Sequence, residues 1–288
     1  MSNNKHTDIL VIGSGPGGYA AAFRAADLGR EVTLVDKDPT LGGVCLNRGC
    51  IPSKTLLHIS KVLEEAESLK KMGVTFTKPT IDIDLVRDWK NKVVSQLSGG
   101  IGQMAKARKV NTLQAEATFL SDNEVQLKSE SSTDTITFDY CIIASGSSSS
   151  IIPGIPFDNE NVLNSKTALD LEKIPKSLLV IGGGYIGLEM GTVFSALGSS
   201  VSLAEFLPNL LPGADPDLVK PLARKLKKEF NEILLSTKIT KVEQAKSGAM
   251  DVTMEKDGEE VTKQYEQVLV SVGRKPNTEK MGVDKTNI

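Results

Sequence analysis

The sequence predicts an α/β fold in two copies, each a parallel sheet with helical crossovers followed by a three-stranded antiparallel meander. Three observations predict it. The apolar, β-branched run Asp8-Ile-Leu-Val-Ile-Gly13 ends in glycine and leads into the alanine-rich residues 14–29, after which Glu31-Val-Thr-Leu-Val-Asp36 is strand-like again. That order is a β-α-β unit, in which two parallel strands need a helix to cross between them. The unit returns 169 positions later, so that Gly13, Gly15, Gly18, Gly29 and Asp36 map onto Gly182, Gly184, Gly187, Gly198 and Glu205. Alternating runs follow each unit, at 109–119, 123–128 and 135–143 and again at about 233–242, 250–255 and 261–272. Each set of three reads as a meander.

In chain order, alanine favours the first helix and Gly29 stops it. Two long helical stretches, about 52–71 and 82–107, separate the first unit from its meander, and the second carries Trp89, read as core packing. Small residues and prolines from Ser147 to Pro156 favour an extended linker, with the four serines at 147–150 a solvated loop. Domains are therefore expected at 1–149 and 150–276, with 277–288 turning back toward the first. The lysines between Lys220 and Lys228 read as a solvated helix face.

Composition removes whole classes of function. At 40% hydrophobic, 24% charged and 5% aromatic residues the 288-residue chain is globular, and 34 basic against 36 acidic residues give no field for nucleic acid. No apolar run reaches the roughly 18 residues of a membrane span, and the first residues lack the apolar core of a secretory signal. A soluble, cytoplasmic chain with neither nucleic-acid nor membrane partner is expected.

In Gly-x-Gly-x-x-Gly the first glycine makes the tight turn, the second lets backbone approach a pyrophosphate, and the third packs helix on strand. Free amides at the positive end of the helix dipole then meet the anion. Both copies follow a strand, open a helix and place an acid 23 positions after the first glycine, where it can accept from ribose hydroxyls. The architecture is thus Rossmann-like, and two dinucleotide sites in one chain point to a resident flavin adenine dinucleotide (FAD) and an exchanging nicotinamide dinucleotide. No arginine follows Glu205 in Phe206-Leu-Pro208 to receive a 2′-phosphate, which favours NAD over NADP.

Of three cysteines, Cys45 and Cys50 lie five positions apart, and in a reducing compartment such a pair is catalytic or metal-binding rather than structural. Two cysteines lack the further ligands of a zinc site, and His6 and His58 are the only histidines, so no metal set is assigned. Pro52 fits a first helical turn, which puts Cys50 near a helix N-terminus where the dipole and Lys54 favour a thiolate. Cys141 lies in a strand run and reads as an inert, buried thiol.

The stretch Gly42-Gly-Val-Cys45-Leu-Asn-Arg-Gly-Cys50-Ile-Pro-Ser-Lys54, with Val180-Ile-Gly-Gly-Gly-Tyr-Ile-Gly-Leu-Glu189 and Val272-Gly-Arg-Lys-Pro-Asn277, resembles the pyridine nucleotide-disulphide oxidoreductases over essentially the whole chain. The resemblance implies FAD on residues 13–18, NAD on 182–187, and Cys45–Cys50 as a redox-active disulfide. Cys45 would then exchange with the substrate dithiol, Cys50 would contact the flavin, and Lys54 would lie near flavin N5 paired with Glu189. It adds Gly17, Lys37, Ala117, Ser145, Gly146, Tyr185, Ile186, Gly273 and Arg274 to the cofactor-contacting set. The implied reaction oxidises dihydrolipoamide, carried on the lipoyl domain of an acyltransferase, with reduction of NAD⁺ to NADH. A related NAD(P)H-dependent disulfide reductase and a nucleotide-binding fragment without turnover are the alternatives.

The chain departs from the family in two ways. Arg48 replaces a small apolar residue and is expected to be a tolerated surface change. The sequence stops before the family's second flavin-contacting segment and its homodimerisation domain, which carries the acid-base histidine. Without that base, turnover is expected to fall by something like 10²–10⁴-fold.

Overall fold

The computed structural model describes residues 5–288. Its first elements are β1 (Lys5–Ile12), α1 (Pro16–Asp27), β2 (Val32–Asp36), α2 (Gly43–Arg48), α3 (Cys50–Ser68) and α4 (Ile83–Ala107). Then come β3 (Asn111–Gln114), β4 (Glu116–Ser121), β5 (Glu124–Lys128), β6 (Thr133–Ile143), β7 (Ser147–Ser149), β8 (Val162–Leu163) and α5 (Ser165–Asp170). The second repeat supplies β9 (Ser177–Ile181), α6 (Tyr185–Ala196), β10 (Ser200–Ala204), α7 (Pro216–Glu229) and β11 (Glu232–Leu234). The chain closes with β12 (Lys238–Gln244), β13 (Met250–Lys256), β14 (Glu259–Tyr265), β15 (Gln267–Val270) and β16 (Arg274–Pro276). No helix among the described residues is long and apolar enough to cross a membrane.

Two units emerge. The first holds the chain up to Pro52, Asn91–Ser148 and Arg274–Ile288; the second holds Ser53–Lys90 and Ser149–Gly273. The stretch 53–90, expected in the first domain, belongs to the second unit because Leu56, Leu57, Ile81, Ile83 and Val86 pack on that unit's core.

In the first unit one sheet runs β3-β2-β1-β6-β5-β4, parallel through β6 and antiparallel beyond it. Its central strand is apolar on both faces: Leu10 and Ile12 join Phe119, Val125 and Ile136, while Val11 joins Ala22, Phe23 and Leu34. Full burial of each such side chain is worth about 1.5–3 kcal/mol, so the strand is held from both sides. Beyond Thr137, β6 pairs only with β1 among the described residues, and Tyr140 and Ile142 are exposed.

The second unit repeats the scheme with order β11-β10-β9-β15-β8, all parallel, and β12-β13-β14 as a separate antiparallel sheet. Leu178, Val180 and Leu203 face Leu188 and Phe194 of α6, whereas Leu179, Ile181 and Val268 face Val252 and Met254 of the meander. Both helices that follow the glycine turns end alike. Gly29 and Arg30 donate to the carbonyls of Ala26 and Ala25, and Gly198 and Ser199 to those of Ser195 and Phe194, the paired bonds of a Schellman cap.

Three expectations need correction. The run 109–119 is two strands, β3 parallel to β2 and then β4 of the meander, and the second repeat divides in the same way into β11 and β12. The serines at 147–149 are not only loop but a short strand, whose Ser147 accepts from Arg274. Trp89 is 52% exposed, while its neighbour Lys90 is buried. On α4 the inward face runs through Ile83, Val86 and Lys90. Arg87 and Lys90 point their donors at the end of α5, bonding the carbonyls of Asp170, Leu171, Glu172 and Leu169 that the helix itself leaves open. Burial outweighs the nearby Asp170 and holds the Lys90 amine below its ordinary value.

Glu232, at the start of β11, shows the opposite balance. Burial alone would raise its carboxyl. Lys263 Nζ donates to both oxygens at 2.8 and 2.7 Å, Ser202 and Tyr265 add hydroxyl donors, and the group settles below the ordinary 4.5. A carboxyl lowered on folding stabilises above 4.5 and loses that contribution as pH falls through its native value. Glu232→Gln is expected to lower the urea midpoint at neutral pH, with the gap from the parent closing below pH 4.5.

Candidate active site

The two glycine turns are built from the same bonds. Gly13 N donates to Val35 O at 2.7 Å and Gly182 N to Ala204 O at 2.8 Å, tying each turn to the neighbouring strand. A side chain on Gly18 or Gly187 would collide with the carbonyl of Gly13 or Gly182, so only glycine lets the helix start this near its own strand. The acid at the end of the next strand then closes the turn. Asp36 Oδ2 accepts from Ser14 N and Ser14 Oγ, both at 2.6 Å, and Oδ1 from Asp38 N; Glu205 Oε2 accepts from Gly183 N at 2.6 Å and Oε1 from Leu207 N at 2.8 Å. A carboxylate has about four acceptor positions, which leaves each acid capacity for a ribose hydroxyl.

The copies differ by a compensated exchange. Ser14 fills with its hydroxyl the space beside the short Asp36. Gly183 leaves that space to the longer Glu205: a Cβ on residue 183 would stand 2.7 Å from Leu210 Cδ2 and 3.2 Å from Glu205 Cβ.

A dinucleotide fits both turns. The first turns of α1 and α6 carry no side-chain cap and no acid, so their amides are available to a diphosphate, and a Cβ on Gly17 or Gly184 would meet only open space. In the first unit a cavity of about 500 Å³ adjoins Asp36, bordered by Asp38, Thr40, Leu41 and the α4 residues Ser98, Gly99 and Gly102. Glycines cost a helix interior about 1 kcal/mol each. Gly99, Gly100 and Gly102 stand where a Cβ would meet nothing, leaving the helix flank open to a ligand. They are absent from the expected site, although three glycines in a helical stretch were a visible signal.

The cysteines sit on two helices in the first unit. Cys45 lies within the short helix α2 and Cys50 opens α3, with Cα atoms 4.8 Å apart and a disulfide between them. Four contacts bind α2 to the first turn and the loop after β2: Gly42 N to Ser14 O at 2.9 Å, Gly43 against Gly15, Asn47 Nδ2 to the carbonyls of Thr40 and Leu41, and the ion pair of Arg48 with Asp38. Arg48, expected to be a tolerated surface change, is half-buried and pairs with Asp38. Sequence reasoning also missed Gly43, whose φ of +58° and proximity to Gly15 Cα require glycine.

In the second unit Lys54 Nζ donates to Glu189 Oε1 at 2.8 Å, from α3 to α6. Tyr185 is exposed at the start of α6, followed by half-buried Ile186, and Gly273 O accepts from Ser150 N. Arg274, of the first unit, spends its guanidinium on the Ser147 hydroxyl and carbonyl. Ala117 is buried in the meander core, Lys37 is exposed, and the carbonyls of Ser145 and Gly146 accept from Asn277. Cys141 is half-buried rather than buried, and desolvation pushes its thiol up to about 12.

Paired glycine turns, free helix amides and a disulfide held against one of them define a dinucleotide-dependent disulfide oxidoreductase. The family model for pyridine nucleotide-disulphide oxidoreductases matches residues 7–288, and the chain belongs to that family, whose members use FAD and NAD. It is 44% identical over 289 residues to the dihydrolipoyl dehydrogenase of Vibrio cholerae and 45% to that of Haemophilus influenzae, covering all of this chain and 60% of each relative. The Bacillus subtilis dihydrolipoyl dehydrogenase is 43% identical over 98% of the chain. The chain thus spans about three-fifths of the curated relatives' length. Among solved structures, the Cu(II) complex of the flavoprotein disulfide reductase RclA from Escherichia coli shares the fold, with TM-score 0.82 at 24% identity over 99% of this chain and 60% of that one.

Two outcomes follow. Gly43→Ala is expected to cost about 2–4 kcal/mol, from left-handed strain and displacement of Gly15, seen as a lower thermal midpoint. After reduction, mass spectrometry of iodoacetamide-treated protein should find Cys45 and Cys50 modified ~10²–10³-fold faster than Cys141, whose thiolate is scarce.

Proposed function

We propose that the chain carries the redox core of a dihydrolipoyl dehydrogenase, with FAD on the turn at Gly13–Gly18, NAD on that at Gly182–Gly187, and the Cys45–Cys50 pair as the exchanging disulfide. The observation that carries the reading is that disulfide, bound through α2 to a turn that fits a diphosphate. The names of relatives 41–45% identical to this chain support the substrate.

The chain's residues have these tasks. One thiol of dihydrolipoamide attacks Cys45 Sγ, breaking the Cys45–Cys50 bond with Cys50 leaving as thiolate; the substrate's second thiol then displaces Cys45 from the mixed disulfide, leaving lipoamide and two reduced cysteines. The N-terminus of α3 favours the Cys50 thiolate. Glu189 holds the Lys54 ammonium in place. A bound flavin supplies the two-electron relay through which the dithiol is reoxidised as NAD⁺ gains a hydride and a proton is released. Asp36 and Glu205 keep the turns closed and accept from ribose hydroxyls. The acidic Glu205 disfavours a 2′-phosphate and selects NAD.

The test is anaerobic thiol titration of the chain reconstituted with FAD. NADH should release two new thiols per chain, much faster than NADPH does, and dihydrolipoamide should do the same without nucleotide. Cys50→Ser should abolish the response. No thiol released by NADH in the FAD-bound chain, or equal rates with NADPH, overturns the reading.

A further inference from the structure

Away from the glycine turns, the register of β1 and β6 assembles a cluster that neither strand announces alone. His6 pairs with Thr137, and the pairs Thr7 with Phe138 and Ile9 with Tyr140 set Asp8 beside Asp139. Residues two apart on a strand share a face, so these four side chains form a square on the face that continues through Leu10 and Cys141. One ligand atom from each of His6, Asp8 and Asp139 lies within 4.8 Å of the other two.

The hydrogen bonds around the square orient the imidazole. Thr137 Oγ1 lies 3.0 Å from His6 Nδ1 and 3.4 Å from Lys5 O. Both contacts are hydrogen bonds together only when the ring donates from Nδ1 and the hydroxyl donates to the carbonyl. Nε2 is then the atom turned on the acids, 3.6 Å from Asp139 Oδ1. Asp8 uses Oδ2 to accept from Glu31 N at 3.0 Å and keeps its other oxygen. Like charges abreast on neighbouring strands repel, and a cation placed among the three donor atoms reverses the sign.

We propose that His6, Asp8 and Asp139 bind a divalent first-row transition ion of the Zn²⁺ class, with Thr137 fixing the ring tautomer and water completing the coordination. An imidazole nitrogen with two carboxylates suits such an ion better than Mg²⁺ or Ca²⁺, which take oxygen ligands. Bonds of about 2.0–2.2 Å draw the donors inward from their present spacing, a movement that exposed side chains make by χ rotation. A hydrogen bond to the second ring nitrogen is the usual support of a metal-bound histidine. The ion would clip the start of β1 to the middle of β6 and raise the stability of the first unit by binding the folded state alone.

The experiment is a ZnCl₂ titration of the oxidised chain, with Cys45 and Cys50 joined so that no thiol pair competes, followed by histidine-ring NMR. The chain's two histidines report separately. His6 signals should saturate at one Zn²⁺ per chain in the micromolar range while His58 stays unmoved, and the thermal midpoint should rise with Zn²⁺. His6→Gln and Asp139→Asn should each weaken binding at least about tenfold, and Thr137→Val about tenfold by freeing the ring. If His6 answers only at millimolar Zn²⁺ together with His58, or proves to be an imidazolium indifferent to the metal, the proposal fails. It fails equally if the His6→Gln chain takes up Zn²⁺ as tightly as its parent.

Discussion

The whole arrangement depends on one backbone contact, made twice: the first turn of a helix seated directly against the glycine that ends its strand. Interiors are packed as densely as molecular crystals, and here even a methyl group has no room. The contact fixes the direction of the helix, and with it the direction of the amides at its N-terminus. The acid on the neighbouring strand holds the turn by accepting the amide after the first glycine, so a single carboxylate serves both the shape of the loop and its chemistry. In the first unit the disulfide helix α2 leans on that same turn through Gly43 and the Gly42 amide. The disulfide and the turn that fits a dinucleotide therefore share one piece of scaffold.

Much of this was legible because it is written in local pattern. Two glycine triplets, each preceded by β-branched residues and followed by an alanine-rich or apolar helix, state the β-α-β units, and the equal spacing to Asp36 and Glu205 states the acids. The long helices were recovered nearly in register, at Cys50–Ser68 and Ile83–Ala107. The departures arise where neighbours in space decide. Alternation continues across the join of β3 and β4, so no periodic signal separates a strand that extends the parallel sheet from one that opens the meander. Trp89 is turned outward because Lys90 is called inward by the carbonyl of Leu169, and that carbonyl lies 79 positions away in the chain.

The candidate site divides along the same line. Cysteines and glycine triplets announce themselves by identity. The cavity wall made by Gly99 and Gly102, the anchoring of Arg48 by Asp38 and the square of His6, Asp8, Thr137 and Asp139 depend on which strands and helices become neighbours. The three cysteines illustrate the difference in chemistry that follows. Cys45 and Cys50 share a helix-edge setting that suits exchange. Cys141, in a strand between apolar neighbours, is silenced by desolvation.

The exchange of Ser14 with Asp36 for Gly183 with Glu205 bears on how far one turn could stand in for the other. A serine entering the second turn would meet Leu210 Cδ2 at 2.7 Å and the Glu205 side chain at 3.2 Å, so both would have to give way to admit it. The two turns are therefore not interchangeable piece by piece: a side chain placed at 14 or 183 has to be weighed together with the acid it faces.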